Sequence, residues 1–262
     1  MSNYQVRLMN SFLAKPIKEL QALKHYFELT KHDSKTVTGH QTVYSISPYK
    51  TGTTFLAAVY SKDIAQHEPM HYLSLKMFDK KFDTFLIKRQ NALNLKLECS
   101  GFFSAYISEL AQHKLAKDFE YILIIRNPSA WINSVVNYWA KLDYLQNDYI
   151  NTYFWKKKVG VDLLNFKHLS ESEQEAIIER LAAFYFDYTR QSSQLKNISY
   201  VDLHDVANYV KILDIKIDET AHIRNDKRNV NKAKYYNYKN DKLDEEYKDL
   251  VIELKAKKAS DT

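Results

Sequence analysis

Residues 119–125 (Phe-Glu-Tyr-Ile-Leu-Ile-Ile) form a short, β-branched, apolar run, which is the composition of a strand buried on both faces of a parallel sheet. Further runs that suit strands lie at 42–47, 64–67, 93–98 and 198–203. Helices are predicted at 10–29, 53–61, from 70 onward, and at 103–115, 129–142, 171–195 and 243–257. Because strands and helices alternate, we predict an α/β fold, a single-domain three-layer sandwich with a central parallel sheet flanked by helices. In such a fold, ligands collect at the carboxyl ends of the strands.

The sequence shows no boundary between domains. Its 262 residues and 30.9 kDa suffice for one large α/β domain with a substantial core. There is no Pro/Gly/Ser-rich linker, internal repeat or low-complexity tract. We therefore expect residues 1–262 to form one domain. It would have a helical extension at 1–35, a cofactor-binding core at 42–139, and a basic loop with a C-terminal helix at 220–262.

Composition narrows the classes of function. Cys99 is the single cysteine, which excludes an intramolecular disulfide framework and suits a reducing compartment. No apolar run reaches the ~20 residues that span a bilayer, and the N-terminus lacks the apolar region of a signal peptide. We therefore expect a cytoplasmic location and no membrane span. A net charge of +6 and a pI near 9.0 favour a polyanionic cofactor or acidic partner, but they do not identify nucleic acid, and we expect none as a partner.

The segment 48–55 (Pro-Tyr-Lys-Thr-Gly-Thr-Thr-Phe) lies between the first predicted strand and the next helix. With only four glycines in the chain, Gly52 between hydroxyl residues and a lysine indicates a functional turn. Backbone N–H groups at such a turn point at an anion, and Lys50 adds a mobile positive charge. The hydroxyl donors are Thr51, Thr53 and Thr54. Lys50 precedes Gly52, whereas a Walker A loop places its lysine after the last glycine, so an ordinary ATPase or GTPase fits poorly. A turn capped by threonines is the alternative without a ligand.

A second anion-binding pattern follows the 119–125 run. Arg126 stands at the predicted strand end, and Ser134 follows eight positions later on the same face of the next helix. A guanidinium binds phosphate through a planar fork, and the serine hydroxyl adds a donor. The alternative is an arginine at a strand end, followed by a helix that begins at Pro128.

Together, the two patterns resemble those of sulfotransferases that use 3′-phosphoadenosine 5′-phosphosulfate (PAPS). Pro-x-Lys-Thr-Gly-Thr-Thr is close to the 5′-phosphosulfate loop of the heparan sulfate N-sulfotransferases, and Arg-Asn-Pro with the later serine is similar to the 3′-phosphate motif of the cytosolic enzymes. The resemblance covers residues 42–139. It implies a P-loop-like fold and transfer of a sulfuryl group from PAPS to a hydroxyl or amine. It further implies adenosine 3′,5′-bisphosphate (PAP) as the spent product and no required metal.

The resemblance also implies roles for individual residues. The cofactor-binding residues would be Lys50, Thr51, Gly52, Thr53, Thr54, Phe55, Arg126, Ser134 and Arg228. Lys50 would also stabilise negative charge on the bridging oxygen. Phe55 takes the place of a family tryptophan and would lie against the adenine. Arg228 lies where cytosolic members have Arg-Lys-Gly, but the glycine is missing, and a solvated basic loop is an equal alternative.

The general base and the acceptor contacts are less defined by the sequence. The stretch 97–103 lacks the histidine that many cytosolic members use, so that residue cannot be carried over. Glu68 lies where the glycosaminoglycan branch has its base and ranks first, and His67 has suitable chemistry too. Acceptor contacts are expected from His71, Glu98 and Tyr138, of which His71 and Glu98 also remain candidates for the base. The alternatives are a helix cap for Glu68, a surface position for His71, a strand-end acceptor for Glu98 and aromatic packing around Tyr138.

The expected acceptor is a carbohydrate or another small molecule, because no motif selects one acceptor. Two other functions stay open. One is a nucleotide-dependent kinase or other phosphotransferase of the P-loop type. The other is a non-catalytic protein that binds polyanions, which only the charge and the aromatic residues support.

Overall fold

The computed structural model describes residues 14–140, 148–213, 215 and 235–260. Within them, the predicted strands all form: β1 Val43–Ser45, β2 Ala65–His67, β3 Leu97–Cys99, β4 Glu120–Ile125 and β5 Asn197–Asp202. They make one parallel sheet in the order β2-β3-β1-β4-β5. The α/β prediction is therefore confirmed.

Helices occupy most of the remaining described chain. They are α1 Ala14–Thr30, α2 Thr53–Ala58, α3 His71–Leu93, α4 Ile107–Gln112, α5 Pro128–Ala140, α6 Glu171–Gln191, α7 Val206–Ile212 and α8 Asp241–Ser260. A helical turn at Asp148–Ile150 continues into a π-helix, Asn151–Val159. Short 3-10 turns lie at Gly101–Ala105, Ala116–Asp118, Phe166–His168, Ser192–Gln194 and Leu203–Asp205.

Several predicted boundaries were wrong: the helices predicted at 53–61 and 171–195 end at Ala58 and Gln191. Two further differences have a clear local cause. The segment 93–98 was predicted as a strand, but α3 continues to Leu93 and ends at Asn94, whose φ of 45° lies in the left-handed region. The Asn94 N–H still bonds to the Gln90 carbonyl, so extended structure begins only at Leu97. The predicted helix 103–115 is divided into a 3-10 turn and the short helix α4, with the break at Tyr106.

The side chains of β4 alternate between two separate apolar cores, as expected for a strand covered on both faces. Tyr121, Leu123 and Ile125 pack into the larger core with residues of α3, α5, α6 and α8. Ile122 and Ile124 pack into the smaller core with residues of α2 and α7. The sheet is thus the middle of three layers.

The strand order creates a crevice at the carboxyl ends of β1 and β4. From β1 the chain proceeds toward β2 and β3 on one side of the sheet, whereas from β4 it proceeds toward β5 on the other side. Adjacent strands whose connections diverge leave a crevice at their carboxyl ends. Segment 48–55 follows β1 and Arg126 follows β4, so both predicted anion-binding patterns lie at this crevice.

Candidate functional site

The turn between β1 and α2 requires unusual backbone conformations. Lys50 has a φ of 72° and Gly52 a φ of 101°. Glycine adopts the left-handed region without steric cost. A Cβ at Gly52 would also lie 2.7 Å from the Leu203 side chain, so the position excludes larger residues. The Thr51 hydroxyl is fully buried and donates to the Pro48 carbonyl at 2.7 Å, so it stabilises the turn instead of facing a ligand.

Two hydroxyls of the segment lie against a histidine from the neighbouring strand. Nε2 of His67, the last residue of β2, is 3.1 Å from the Thr54 hydroxyl and 3.3 Å from the Thr53 hydroxyl. The His67 side chain is one-third exposed (33%), so this end of the crevice is open to solvent. His67 therefore contacts the predicted phosphate-binding hydroxyls directly.

Lys50 and Arg126 bring two positive charges together at the crevice. Nη1 of Arg126 donates to the Lys50 carbonyl, and Nζ of Lys50 lies 4.0 Å from the centre of the Tyr138 ring. Among the described residues, neither cation forms an ion pair with a carboxylate. Burial, followed by repulsion from Arg126, lowers the pKa of Lys50 to about 8. Burial likewise lowers the pKa of Arg126.

Two hydrogen bonds hold the turn and the end of β4 in place. The indole N–H of Trp131, on α5, donates to the Tyr49 carbonyl at 2.8 Å. The hydroxyl of Tyr185, on α6, donates to the Arg126 carbonyl at 2.8 Å. Trp131 and Tyr185 also stack on each other, with ring centres 4.3 Å apart. The two cations are thus carried on backbone that the larger core fixes.

Glu68 carries a buried carboxyl group beside this crevice. The Gly101 N–H donates to its Oε1 at 2.8 Å. Its Oε2 is buried and makes no hydrogen bond within the described residues, although His71 Nε2 lies 3.3 Å away. Burial raises the pKa of Glu68 to about 8, against the lowering effect of the Gly101 bond. A carboxyl group with this pKa exchanges a proton near neutral pH.

His71 is not on the surface but in an aromatic cluster. Its Nε2 is 2.7 Å from the Tyr49 hydroxyl, and its Nδ1 is 3.2 Å from the Tyr149 hydroxyl. Phe102 stacks on the ring. Burial lowers the pKa of His71 to about 3, so the imidazole stays neutral. Both ring nitrogens of His71 have protein partners, so neither is left to bind the acceptor as predicted. His71 instead packs beside Glu68 and supports it.

Glu98 does not face the crevice, contrary to the expected acceptor contact. Its side chain is 2% exposed and forms an ion pair with Arg89, which is fully buried. The Ser100 hydroxyl donates to the other carboxylate oxygen at 2.6 Å. Sequence reasoning missed Arg89. The available signal was a cationic residue beside the apolar Phe85-Leu86-Ile87 of α3.

The remaining predicted residues lie around the cation pair or outside the described chain. Tyr138 supports Lys50 through its ring face. Phe55 is 40% exposed at the start of α2, and Ser134 is partly buried on α5. Arg228 lies outside the described residues. The structure therefore brings together Lys50, Thr53, Thr54, Arg126 and Tyr138 with the pair His67 and Glu68, at the carboxyl ends of neighbouring strands.

Two asparagines of α5 were also missed by sequence reasoning. Asn133 and Asn137, one turn apart, each pair with the backbone of the segment that precedes α8. Asn133 exchanges two hydrogen bonds with Tyr238, at 2.6 and 2.7 Å. Asn137 accepts from the N–H groups of Tyr235 and Tyr236, at 2.7 and 3.1 Å, and donates to the Tyr236 carbonyl at 2.8 Å. The helix that carries Ser134 is thus tied to the C-terminal part of the chain.

The described residues contain neither a metal-ligand cluster nor a helix that could cross a membrane. Within residues 14–140, 148–213, 215 and 235–260, no group of three or more His, Cys, Asp or Glu side chains could hold a metal ion. No helix in the described part of the chain combines the length and apolarity needed to cross a bilayer.

Comparison with known proteins gives no match: no family model, no curated protein and no solved structure is significantly similar to this chain.

Proposed function

We propose that this protein is a sulfotransferase that transfers the sulfuryl group of PAPS to a hydroxyl or amine. The observation that carries the proposal is the pair of cations, Lys50 and Arg126, at the carboxyl ends of β1 and β4 without a carboxylate partner among the described residues. Burying cations without a counter-charge costs free energy. An anionic ligand would offset that cost.

The residues present fit a nucleotide with phosphate groups at two ends. Lys50, Thr53 and Thr54 would hold the phosphosulfate, and Arg126 with Ser134 would hold the 3′-phosphate. Phe55, exposed at the start of α2, would lie against the adenine. The bound cofactor would supply the sulfuryl group and leave as PAP.

The protein's own groups would supply charge stabilisation and a proton acceptor. The Lys50 ammonium would stabilise negative charge on the departing phosphate. Glu68, when ionised, would take the proton of the acceptor, because its pKa of about 8 lies near neutral pH. Nε2 of His67 lies 3.9 Å from Glu68 Oε1 and contacts the hydroxyls of Thr53 and Thr54. It would therefore link the proton acceptor to the hydroxyls that hold the phosphosulfate.

The proposal includes an acceptor that is a carbohydrate or another small molecule, and a cytoplasmic location without nucleic-acid partners. Its support on the acceptor side is aromatic: the Tyr149 hydroxyl contacts His71, the neighbour of Glu68, and the Tyr138 ring faces Lys50. Aromatic faces of this kind suit a sugar or a phenol.

Calorimetric titration with PAP tests the cofactor, without added magnesium. We expect tight binding by the wild type and a roughly 10- to 100-fold weaker Kd for Arg126→Ala, since a hydrogen bond to a charged group contributes about 1.5–3 kcal/mol. Arg180→Ala, at an exposed arginine of α6, is the matched control and should bind like the wild type.

Folded wild-type protein that does not bind PAP would overturn the proposal. Magnesium-dependent binding of ATP in preference to PAP would instead favour the phosphotransferase. Binding of mixed polyanions that is lost in moderate salt, without affinity for PAP, would favour the non-catalytic alternative.

A further inference from the structure

A fully buried arginine lies directly beneath the turn that carries Glu68. Nη2 of Arg89 donates to the Pro69 carbonyl at 2.7 Å, and Nε donates to the Ser74 hydroxyl at 2.9 Å. The Ser74 hydroxyl donates in turn to the Met70 carbonyl at 3.0 Å. Nη1 of Arg89 completes the set by donating to Glu98. Arg89 thus binds Pro69 of the turn directly, Met70 through the Ser74 hydroxyl, and strand β3 through Glu98.

The turn needs such support because of its backbone. Glu68 has a φ of 54° and Met70 a φ of 49°, both in the left-handed region that residues with a Cβ adopt at a cost. The carbonyl of Pro69, which lies between them, is the one that Arg89 holds. Without that donor, the turn would relax toward ordinary backbone angles and carry the Glu68 carboxyl away.

Glu98, the partner of Arg89, is connected to the Glu68 carboxyl through the residues that follow it in the chain. Glu98 lies on β3, and it accepts a hydrogen bond from Ser100. The next residue, Gly101, donates its N–H to Glu68 Oε1. A Cβ at Gly101 would lie 2.8 Å from the Tyr49 backbone nitrogen, so this segment is packed closely against the 48–55 turn.

We propose that Arg89 and Glu98 are a positioning pair for the Glu68 carboxyl, holding Oε1 on the Gly101 N–H and keeping Oε2 free of protein hydrogen bonds. This inference rests on the proposed role of Glu68 as the base. Arg89 acts through the turn of residues 67–70, and Glu98 acts through residues 99–101. Neither residue touches a substrate in this assignment.

The pair also balances charge around Glu68. The groups that face the carboxyl are His67 of β2, His71 and Arg89 of α3, and Glu98 of β3, with the Tyr49 and Tyr149 hydroxyls nearby. After burial and the Gly101 bond, Glu98 raises the pKa of Glu68 and Arg89 lowers it. Removing one charge of the pair therefore shifts the titration, whereas a merely structural residue would change stability alone.

Infrared titration tests the electrostatic part without cofactor or acceptor. The protonated Glu68 band is identified as the carboxyl absorption that disappears in Glu68→Gln, and its midpoint in the wild type is expected near pH 8. Glu98→Gln leaves the Arg89 charge unbalanced, so the midpoint should fall by roughly one pH unit. The double variant Arg89→Met/Glu98→Gln removes both charges at similar volume, and its midpoint should not fall.

Amide hydrogen exchange at Gly101 tests the geometric part. Arg89→Lys keeps the charge but loses the fork, so we expect the Gly101 N–H to exchange at least tenfold faster. The Glu68 midpoint should rise and not fall, because the charge is kept while the Gly101 bond, which lowers the pKa of Glu68, is lost. The double variant should show the same loss of protection. If a single variant fails to fold, the double variant, which buries no unpaired charge, decides alone.

Unchanged Gly101 exchange in the folded double variant would overturn the inference. A Glu98→Gln midpoint equal to the wild type would do the same. PAP binding separates this result from the proposed function, since the pair does not touch Lys50 or Arg126 and the variants should bind PAP like the wild type. If the wild type does not bind PAP, the proposed function is overturned. The infrared titration of Glu68 and the amide exchange of Gly101 would still test the positioning pair.

Discussion

At the scale of single residues, Lys50 and Glu68, both assigned to function, have pKa values that their surroundings shift strongly. Lys50 is held as a cation beside Arg126, and its pKa is lowered from 10.5 to about 8. A lysine whose pKa is lowered in the folded state destabilises that state while it is charged. The penalty is fully present below pH 8 and is relieved as the pH rises toward 10.5.

Lys50→Met is therefore expected to stabilise the protein and abolish its ligand affinity. A shift of this size corresponds to about 3 kcal/mol at pH 7. Chemical denaturation should show the gain, and PAP titration should show the loss of binding. Lys62→Met, at an exposed lysine, should change neither quantity. A Lys50→Met protein that is less stable than the wild type and still binds PAP would contradict this reading.

Sequence reasoning predicted the cations better than their surroundings. Lys50 and Arg126 were found because each stands in a local pattern next to a strand. Thr51 belongs to the same pattern, yet its hydroxyl is used by the Pro48 carbonyl. The pairing of Arg89 with Glu98 joins a helix to a strand, and no sequence spacing indicates that contact.

At the scale of elements, α5 joins the end of β4 to the C-terminal segment. Asn133 and Asn137 of α5 bond to the backbone of residues 235–238 in the way that a neighbouring strand would. They can do so because one amide side chain both donates and accepts hydrogen bonds. Asn137 alone satisfies two N–H groups and one carbonyl of that segment. Together with the bonds of Ser129 to Asn240 and Asp244, these bonds fix α8 against α5.

Asn137→Ala should release this segment. We expect a loss of about 1–3 kcal/mol in the free energy of unfolding, because partly buried backbone groups of Tyr235 and Tyr236 lose their partners. Hydrogen exchange should accelerate at the amides of Tyr235 and Tyr236. Asn208→Ala, at an exposed position on α7, serves as the control. Unchanged protection at both tyrosines would show that other contacts hold the segment.

The elements that were predicted poorly are those whose form depends on tertiary packing. No element was predicted from the sequence at Asn151–Val159, which forms a π-helix that buries Phe154 and Trp155. Period-based reasoning cannot distinguish this form from an α-helix over nine residues. Strand β3 is short because α3 extends toward it, which depends on the left-handed Asn94.

At the scale of the whole molecule, Glu68 should govern how stability depends on pH. Its pKa is raised from 4.5 to about 8, so the folded state holds a proton that the unfolded state releases. Stability contributed by this group is therefore full below pH 4.5 and is lost as the pH rises through 8.

The substitution Glu68→Gln removes this pH-dependent loss of stability, because glutamine stays neutral at every pH. At pH 7 the variant should be more stable than the wild type by about 3 kcal/mol, and the difference should shrink toward pH 4.5. Denaturant titrations at several pH values provide the measurement, with Glu245→Gln as an exposed control. Parallel stability curves for wild type and Glu68→Gln would show that the carboxyl is ionised in the folded protein.

The layered fold followed from the sequence, but the strand order did not. Alternating strands and helices predict a parallel sheet with two covered faces, and the two cores on either side of β4 agree with that. The insertion of β1 between β3 and β4 pairs Val43 with Leu97 on one side and with Glu120 on the other, and no local pattern encodes these distant pairings. The crevice shared by Lys50 and Arg126 arises from that order.

All three tryptophans of the chain contact one residue, Tyr49. Trp131 bonds to its carbonyl, and the rings of Trp139 and Trp155 lie 6.0 and 5.8 Å from its ring. Since Lys50 is the next residue, the intrinsic fluorescence of the whole protein originates within one aromatic shell around the proposed anion site. The molecule thus contains its own optical reporter, whose emission registers the state of this turn without any added label.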